Sequence, residues 1–133
     1  MRVVLDTNVF ISGIFFSGPP AIILKSWADG RIQLLLSRQI VDEYQRVAKE
    51  LALKFKPIDI LPIIQRVAIH SQFVDTKGVN ISACEDPDDN KFIECAIAGN
   101  CGIIISGDKH LLKLAGFDGI AVLKPRDFIE KYL

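Results

Sequence analysis

Short, continuous apolar runs alternate along the chain with longer segments in which apolar residues recur at helical spacing. A short apolar run bounded by polar residues is typical of a strand buried on both faces of a parallel sheet. Five such strands are predicted, at residues 3–5, 32–36, 73–74, 102–106 and 120–123.

The segments between these runs predict the helices. They are expected at 21–28, from a Ser37 cap to about residue 55, from Pro57 through a break at Pro62 to residue 68, at 87–98, at 109–115 and at 125–132. Residues 11–20 contain two glycines and two prolines, which predict a loop. Strands alternating with helices predict the α/β class, as a three-layer α/β/α sandwich around a five-stranded, mostly parallel sheet.

Composition narrows the class of protein. A length of 133 residues predicts a single domain spanning 1–133, and the 50% hydrophobic content excludes a disordered chain. No apolar run approaches the roughly 20 residues of a transmembrane helix, so we expect a cytoplasmic protein that contacts no membrane. The three cysteines form no Cys-x-x-Cys pair, which favours free thiols. Sixteen basic and sixteen acidic residues balance, so a nucleic acid would have to be bound locally.

Acidic residues follow two of the predicted strands. Asp6 ends the first strand and Asp108 follows the fourth, at the carboxyl edge where α/β sheets bind their ligands. Asp89 lies in the first turn of the helix before the fourth strand, and Glu43 in the second turn of the helix after the second. If strands one and four are neighbours, these acids converge on one edge of the sheet.

Such a group of carboxylates predicts a metal site. Like charges a few ångströms apart raise one another's pKa values, and a hard divalent cation removes the conflict. Mg²⁺ and Mn²⁺ prefer oxygen ligands and can activate water for attack on a phosphodiester. We therefore predict Asp6 and Asp108 as metal ligands, Asp89 as completing the metal shell, and Glu43 as positioning or deprotonating the attacking water. The number of ions is left open.

Each of these acids also has a purely structural interpretation. Asp6 and Asp108 suit helix N-caps equally well, and for Asp86, which precedes Pro87, capping is the favoured interpretation. Glu43 alone is typical of a solvated helical residue. Thr7, Asn8 and Ser106 are either turn residues or polar groups that orient ligands at this edge. Five basic residues also have two interpretations, either as solvated surface residues or as contacts to substrate phosphate: Arg38, Arg46, Lys91, Lys109 and Lys113.

The acidic residues, taken in order, resemble the motifs of PIN-domain ribonucleases, in the branch of toxin components of prokaryotic toxin–antitoxin modules (VapC-like). The matching segments are Leu-Asp-Thr-Asn-Val at 5–9, Glu-Tyr at 43–44, Asp-Pro-Asp-Asp-Asn-Lys-Phe at 86–92 and Ile-Ser-Gly-Asp at 105–108. They span nearly the whole chain, and the four together are more specific than any one of them.

This resemblance implies a PIN-like sheet with strands one and four adjacent, and Mg²⁺- or Mn²⁺-dependent cleavage of RNA. It implies a homodimer and a small antitoxin protein as partners. By position, the catalytic quartet is Asp6, Glu43, Asp89 and Asp108, of which Asp6, Asp89 and Asp108 are the metal ligands. Asn8, Ser106 and Asp86 are supporting polar residues.

Three other functions compete with this one. Asp6 resembles the nucleophile of haloacid-dehalogenase-like phosphatases, but Asn8 stands where their second acid is expected. A phospho-accepting receiver domain would use Asp75 after the third strand, and it leaves Glu43 and Asp108 unexplained. A degenerate PIN domain would bind RNA or protein without cleaving it.

Overall fold

The computed structural model describes residues 1–55 and 59–133, and within them five parallel strands form one sheet. The spatial order of the strands is β3-β2-β1-β4-β5. Val4 lies opposite Ile104 and Leu5 opposite Ile105, so the adjacency expected for strands one and four is present. The strands are β1 Arg2–Leu5, β2 Gln33–Leu36, β3 Gln72–Phe73, β4 Ile103–Ile105 and β5 Ala121–Leu123.

Both faces of the sheet are covered. Val3, Val4 and Leu5 are at most 1% exposed, and successive strand residues point to opposite faces. The predicted α/β/α sandwich is therefore confirmed. The α-helices of the described residues are α1 Thr7–Phe15, α2 Pro19–Ala28, α3 Arg38–Lys54, α4 Leu61–Ile69, α5 Asn90–Ala98, α6 Lys109–Leu112 and α7 Pro125–Tyr132.

Helix α3 forms where its periodicity predicts it. The backbone N–H of Ile40 donates to the Ser37 hydroxyl at 3.3 Å, which caps the helix, and Ile40, Tyr44 and Ala48 are buried on its inner face. Helix α7 likewise has its predicted bounds. The predicted helix start at Pro57 lies outside the described residues, and α4 begins at Leu61.

The loop predicted for residues 11–20 is wrong. Helix α1 continues through its first half, to Phe15, because Val9, Phe10 and Ile11 are buried and Asp6 caps the first turn, and α2 already begins at Pro19. Gly13 allows α1 and α2 to approach closely, since a Cβ there would lie 2.6 Å from Leu24 Cδ1. The glycine is explained by helix packing, and only the short connection before α2 is non-helical.

No single helix in the described ranges is long and apolar enough to cross a membrane. Helices α1 and α2 reach the required length and composition only together, and they are bent by 87° at the break between them.

Candidate active site

Acidic side chains from four separate elements line one cavity. Asp6 follows β1, Asp108 follows β4, Glu43 lies in α3, and Asp89 ends a 3₁₀ turn, Pro87–Asp89, that leads into α5. Because β1 and β4 are adjacent and parallel, their carboxyl ends meet at this point. The cavity measures about 210 Å³, and its other lining residues are Thr7, Asn8, Arg46, Val47 and Phe92. The structure thus brings together the four acids that the sequence singled out.

Ser106 links two of these acids. Its hydroxyl donates to Asp6 Oδ2 and accepts from the backbone N–H of Asp108 at 2.9 Å. The backbone N–H of Asp6 donates to the carbonyl of Ile105 at 3.0 Å, which continues the pairing of β1 with β4. Ser106 is fully buried, so it fixes the two strand ends relative to each other.

Helix capping and a position in the cavity are compatible for Asp6 and Asp108. Oδ1 of Asp6 accepts from the Val9 N–H at 2.8 Å, and Oδ1 of Asp108 accepts from the His110 N–H at 2.9 Å. Each carboxylate oxygen has two acceptor sites, so the capping bonds, and the bond from Ser106 to Asp6 Oδ2, do not use up the capacity of these residues as ligands. Asp86 accepts from the Asp88 N–H at 3.0 Å and is not among the described residues that line the cavity, as its favoured interpretation predicts.

Glu43 is held by three neighbours. The Thr7 hydroxyl donates to Oε2, Lys91 Nζ lies 2.6 Å from Oε1, and a guanidinium nitrogen of Arg46 lies 3.8 Å from Oε1. Only 17% of the Glu43 side chain is exposed, so it is not a solvated helical residue. Lys91 and Arg46, which were expected to meet phosphate or solvent, contact this carboxylate.

Tyr44 fixes the position of Glu43 relative to Asp6. Its hydroxyl donates to the carbonyl of Leu5, and its ring stacks on Phe10 with centroids 4.0 Å apart. Leu5 precedes Asp6 and Tyr44 follows Glu43, so this contact joins the two acidic positions through the backbone. Helical periodicity predicted Tyr44 as a core residue, but gave no signal of the hydrogen bond.

The aspartates repel one another and are partly desolvated. Burial raises the pKa of Asp89 to about 6, and the charges of Asp108, Asp86 and Asp6 act in the same direction. Burial also raises the pKa of Asp6, against hydrogen bonds from Ser106 and Val9 that lower it. Asp89 Oδ2 is buried without a hydrogen-bond partner among the described residues. The negative charges of these aspartates are therefore not fully compensated by neighbouring groups of the described residues.

The donor set fits a hard divalent cation. All candidate ligands are carboxylate oxygens, and the unpartnered Oδ2 of Asp89 is free to bind an ion. In their present positions, no three His, Cys, Asp or Glu side chains of the described residues are close enough to hold one metal ion together. Ligation by Asp6, Asp89 and Asp108 together therefore requires side-chain movement.

Asp75 lies apart from these acids. It follows the edge strand β3, its Oδ1 accepts from the Lys77 N–H at 2.9 Å, and it lines a different cavity with Arg38 and Phe73. Strand β2 separates β3 from β1. The receiver interpretation gains no support from this placement.

Comparison with known sequences identifies one family. Residues 2–110 match the family model of the PIN domain. An uncharacterised protein of Methanocaldococcus jannaschii is 31% identical over an alignment of 147 positions, gaps included, which covers 99% of this chain and 92% of that protein.

Solved structures with a similar fold come from several organisms. VapBC2 from Rickettsia felis, bound to a DNA fragment from its promoter, matches with a TM-score of 0.56 and 14% identity, over 93% of this chain and 98% of that one. FitAcB from Neisseria gonorrhoeae matches with a TM-score of 0.50 and 19% identity, over the same shares. The PIN domain of T. brucei RRP44 matches with a TM-score of 0.52 and 14% identity, over 98% of this chain and 79% of that one.

Proposed function

This chain belongs to the PIN-domain family, and from that premise we propose that it is a metal-dependent endoribonuclease that hydrolyses RNA phosphodiesters. One observation carries the proposal: four carboxylates from four elements line a single cavity. Within the described residues, the cations that contact them, Lys91 and Arg46, both pair with Glu43. The three aspartates of the cavity have no positively charged partner among the residues that the structure describes.

The aspartates are proposed to hold Mg²⁺ or Mn²⁺. Capping bonds and Ser106 place Asp6 and Asp108 at the same edge of the cavity, from which side-chain movement can bring their carboxylates to one ion. Asp89 offers its unpartnered oxygen as a third donor, directly or through water. When bound, the ion supplies Lewis-acid chemistry that makes water more acidic and stabilises the leaving oxygen.

Glu43 is proposed to orient the attacking water and to accept its proton. Thr7 and Lys91 fix its carboxylate in the cavity wall, as a general base requires, because geometry limits proton transfer. Each carboxylate oxygen has two acceptor sites, so these bonds leave room for a water molecule. Asn8, which is exposed and lines the cavity, is placed to contact the substrate.

A nuclease assay with and without Mn²⁺ tests the proposal. Single-stranded RNA is expected to be cleaved only with the metal, and Asp6→Asn or Asp108→Asn should reduce the rate by at least about 100-fold. Asp42→Asn is the matched control, because Asp42 is exposed beside Glu43 and its substitution removes the same charge outside the cavity. Metal-dependent cleavage retained by purified Asp6→Asn would contradict the assignment. Metal binding without cleavage by the wild type would favour the degenerate, RNA- or protein-binding alternative.

We also propose that the nuclease acts as the toxin of a toxin–antitoxin pair, forms a homodimer, and is held inactive by a small antitoxin protein. The structural similarity to VapBC2 and FitAcB supports this role at the level of the fold. Expression of the chain alone in a bacterial host is expected to arrest growth, and Asp108→Asn should abolish the arrest. Unchanged growth in cells that contain active wild-type nuclease would contradict the toxin role. Light scattering of the purified protein tests the dimer.

A further inference from the structure

Lys91 places a fixed positive charge beside the acidic cavity. Its Nζ lies 2.6 Å from Glu43 Oε1, and only 16% of its side chain is exposed. Arg46 is farther from the same oxygen, at 3.8 Å, and is 61% exposed. A lysine is rarely buried to this extent unless it is paired, so the Lys91–Glu43 contact is the reason for its position.

Glu43 differs from the three aspartates in that its carboxylate is paired with positively charged side chains. Both Glu43 oxygens have partners, Oε1 in Lys91 and Oε2 in Thr7. Asp89, in contrast, has a buried oxygen with no partner among the described residues. A metal ion that bound Glu43 would lie close to an ammonium group that is tethered to the chain, and the two positive charges would repel each other.

We propose that Lys91 is a positioning residue that keeps Glu43 out of the ligand set of the metal ion, an inference that rests on the proposed function. The ion is then held by aspartates alone, and the Glu43 carboxylate stays oriented towards water. The four carboxylates with Lys91 and Arg46 carry a formal charge of −2, which a single divalent ion neutralises.

Mn²⁺ titration of the full chain, followed by electron paramagnetic resonance and calorimetry, tests this role without measuring cleavage. Lys91→Met removes the tethered charge and frees Glu43, so it should bind Mn²⁺ about five- to tenfold more tightly, as expected for a unit charge several ångströms from a divalent ion in a partly hydrated site. Lys91→Arg keeps the charge and should stay near the wild-type affinity. Circular dichroism checks that each variant is folded.

The double substitution Glu43→Gln with Lys91→Met is the decisive variant, because it removes the pair as a neutral unit. Its affinity for Mn²⁺ is expected to stay within about threefold of the wild type, whereas Asp108→Asn should lose at least about tenfold. A loss in the double variant as large as that of Asp108→Asn would make Glu43 a metal ligand and overturn the inference. So would an unchanged affinity in Lys91→Met.

These outcomes are distinct from a failure of the proposed function. A wild-type chain that binds no Mn²⁺ overturns the metal site, and the role of Lys91 with it. Wild-type binding with one of the contrary variant results overturns the role of Lys91 alone.

Discussion

Replacing Asp89 by asparagine should stabilise the metal-free protein. Burial and three neighbouring carboxylates raise the pKa of Asp89 from an ordinary 3.8 to about 6. A pKa difference of about two corresponds to roughly 3 kcal/mol against the ionised form, and screening of this partly exposed side chain reduces that to about 1 kcal/mol. The substitution Asp89→Asn removes the repelled charge and introduces an amide that can donate a hydrogen bond to Asp108. We therefore expect a gain of about 1 kcal/mol in the free energy of unfolding at neutral pH.

The pH dependence of this gain has a definite sign. The pKa of Asp89 is higher in the folded than in the unfolded state, so the folded state binds more protons between about pH 4 and pH 6. In that window, protonation of Asp89 makes the wild type more stable as the pH falls. The advantage of Asp89→Asn is therefore full above about pH 6 and disappears near pH 4.

Urea unfolding with a chelator at several pH values measures this difference. Asp88→Asn is the matched control, since Asp88 is an exposed carboxylate in the same turn and should change stability by only a few tenths of a kcal/mol. Added Mn²⁺ should reverse the order, because a ligand at about 100 times its Kd stabilises the wild type by about 2.7 kcal/mol. Equal or lower stability of Asp89→Asn without metal at about pH 7.5, or the same gain at every pH, would refute the reasoning.

Two further substitutions test the packing around the site. Tyr44→Phe should lower the free energy of unfolding by about 1–3 kcal/mol, because it leaves the buried Leu5 carbonyl without its side-chain donor. Thermal or urea unfolding measures this, and an unchanged stability would show that the hydrogen bond contributes nothing. Gly99→Ala should destabilise by about 1–3 kcal/mol, since its Cβ would lie 2.3 Å from Cδ2 of the fully buried Leu35. Gly102→Ala is its control: no atom of the described residues lies within 4 Å of a Cβ at Gly102, so an equal loss there would contradict the packing argument.

The local sequence pattern correctly predicted the strands and helices whose conformation depends mainly on their own residues. The apolar run before Asp6 predicted a strand buried on both faces, and the Ser37 cap with the spacing of Ile40, Tyr44 and Ala48 predicted α3. The pattern was insufficient at residues 11–20, where Gly13 serves the close packing of two helices. The sequence alone does not distinguish a glycine that lies in a loop from a glycine that allows a neighbouring side chain to pack closely.

The sequence by itself determined which acids follow strands or lie near helix starts, because strand ends and helix starts are set by local burial and capping. The tertiary structure made β1 and β4 neighbours and so brought Asp6 and Asp108 to one edge of the sheet. Only the tertiary structure decided how those charges are partnered. Lys91 and Glu43 are 48 positions apart, and Ser106 and Asp6 are 100 apart, so no periodicity connects them. Ion pairs and pKa shifts depend on distance and burial in three dimensions, and these exist only once the sheet and its helices have packed.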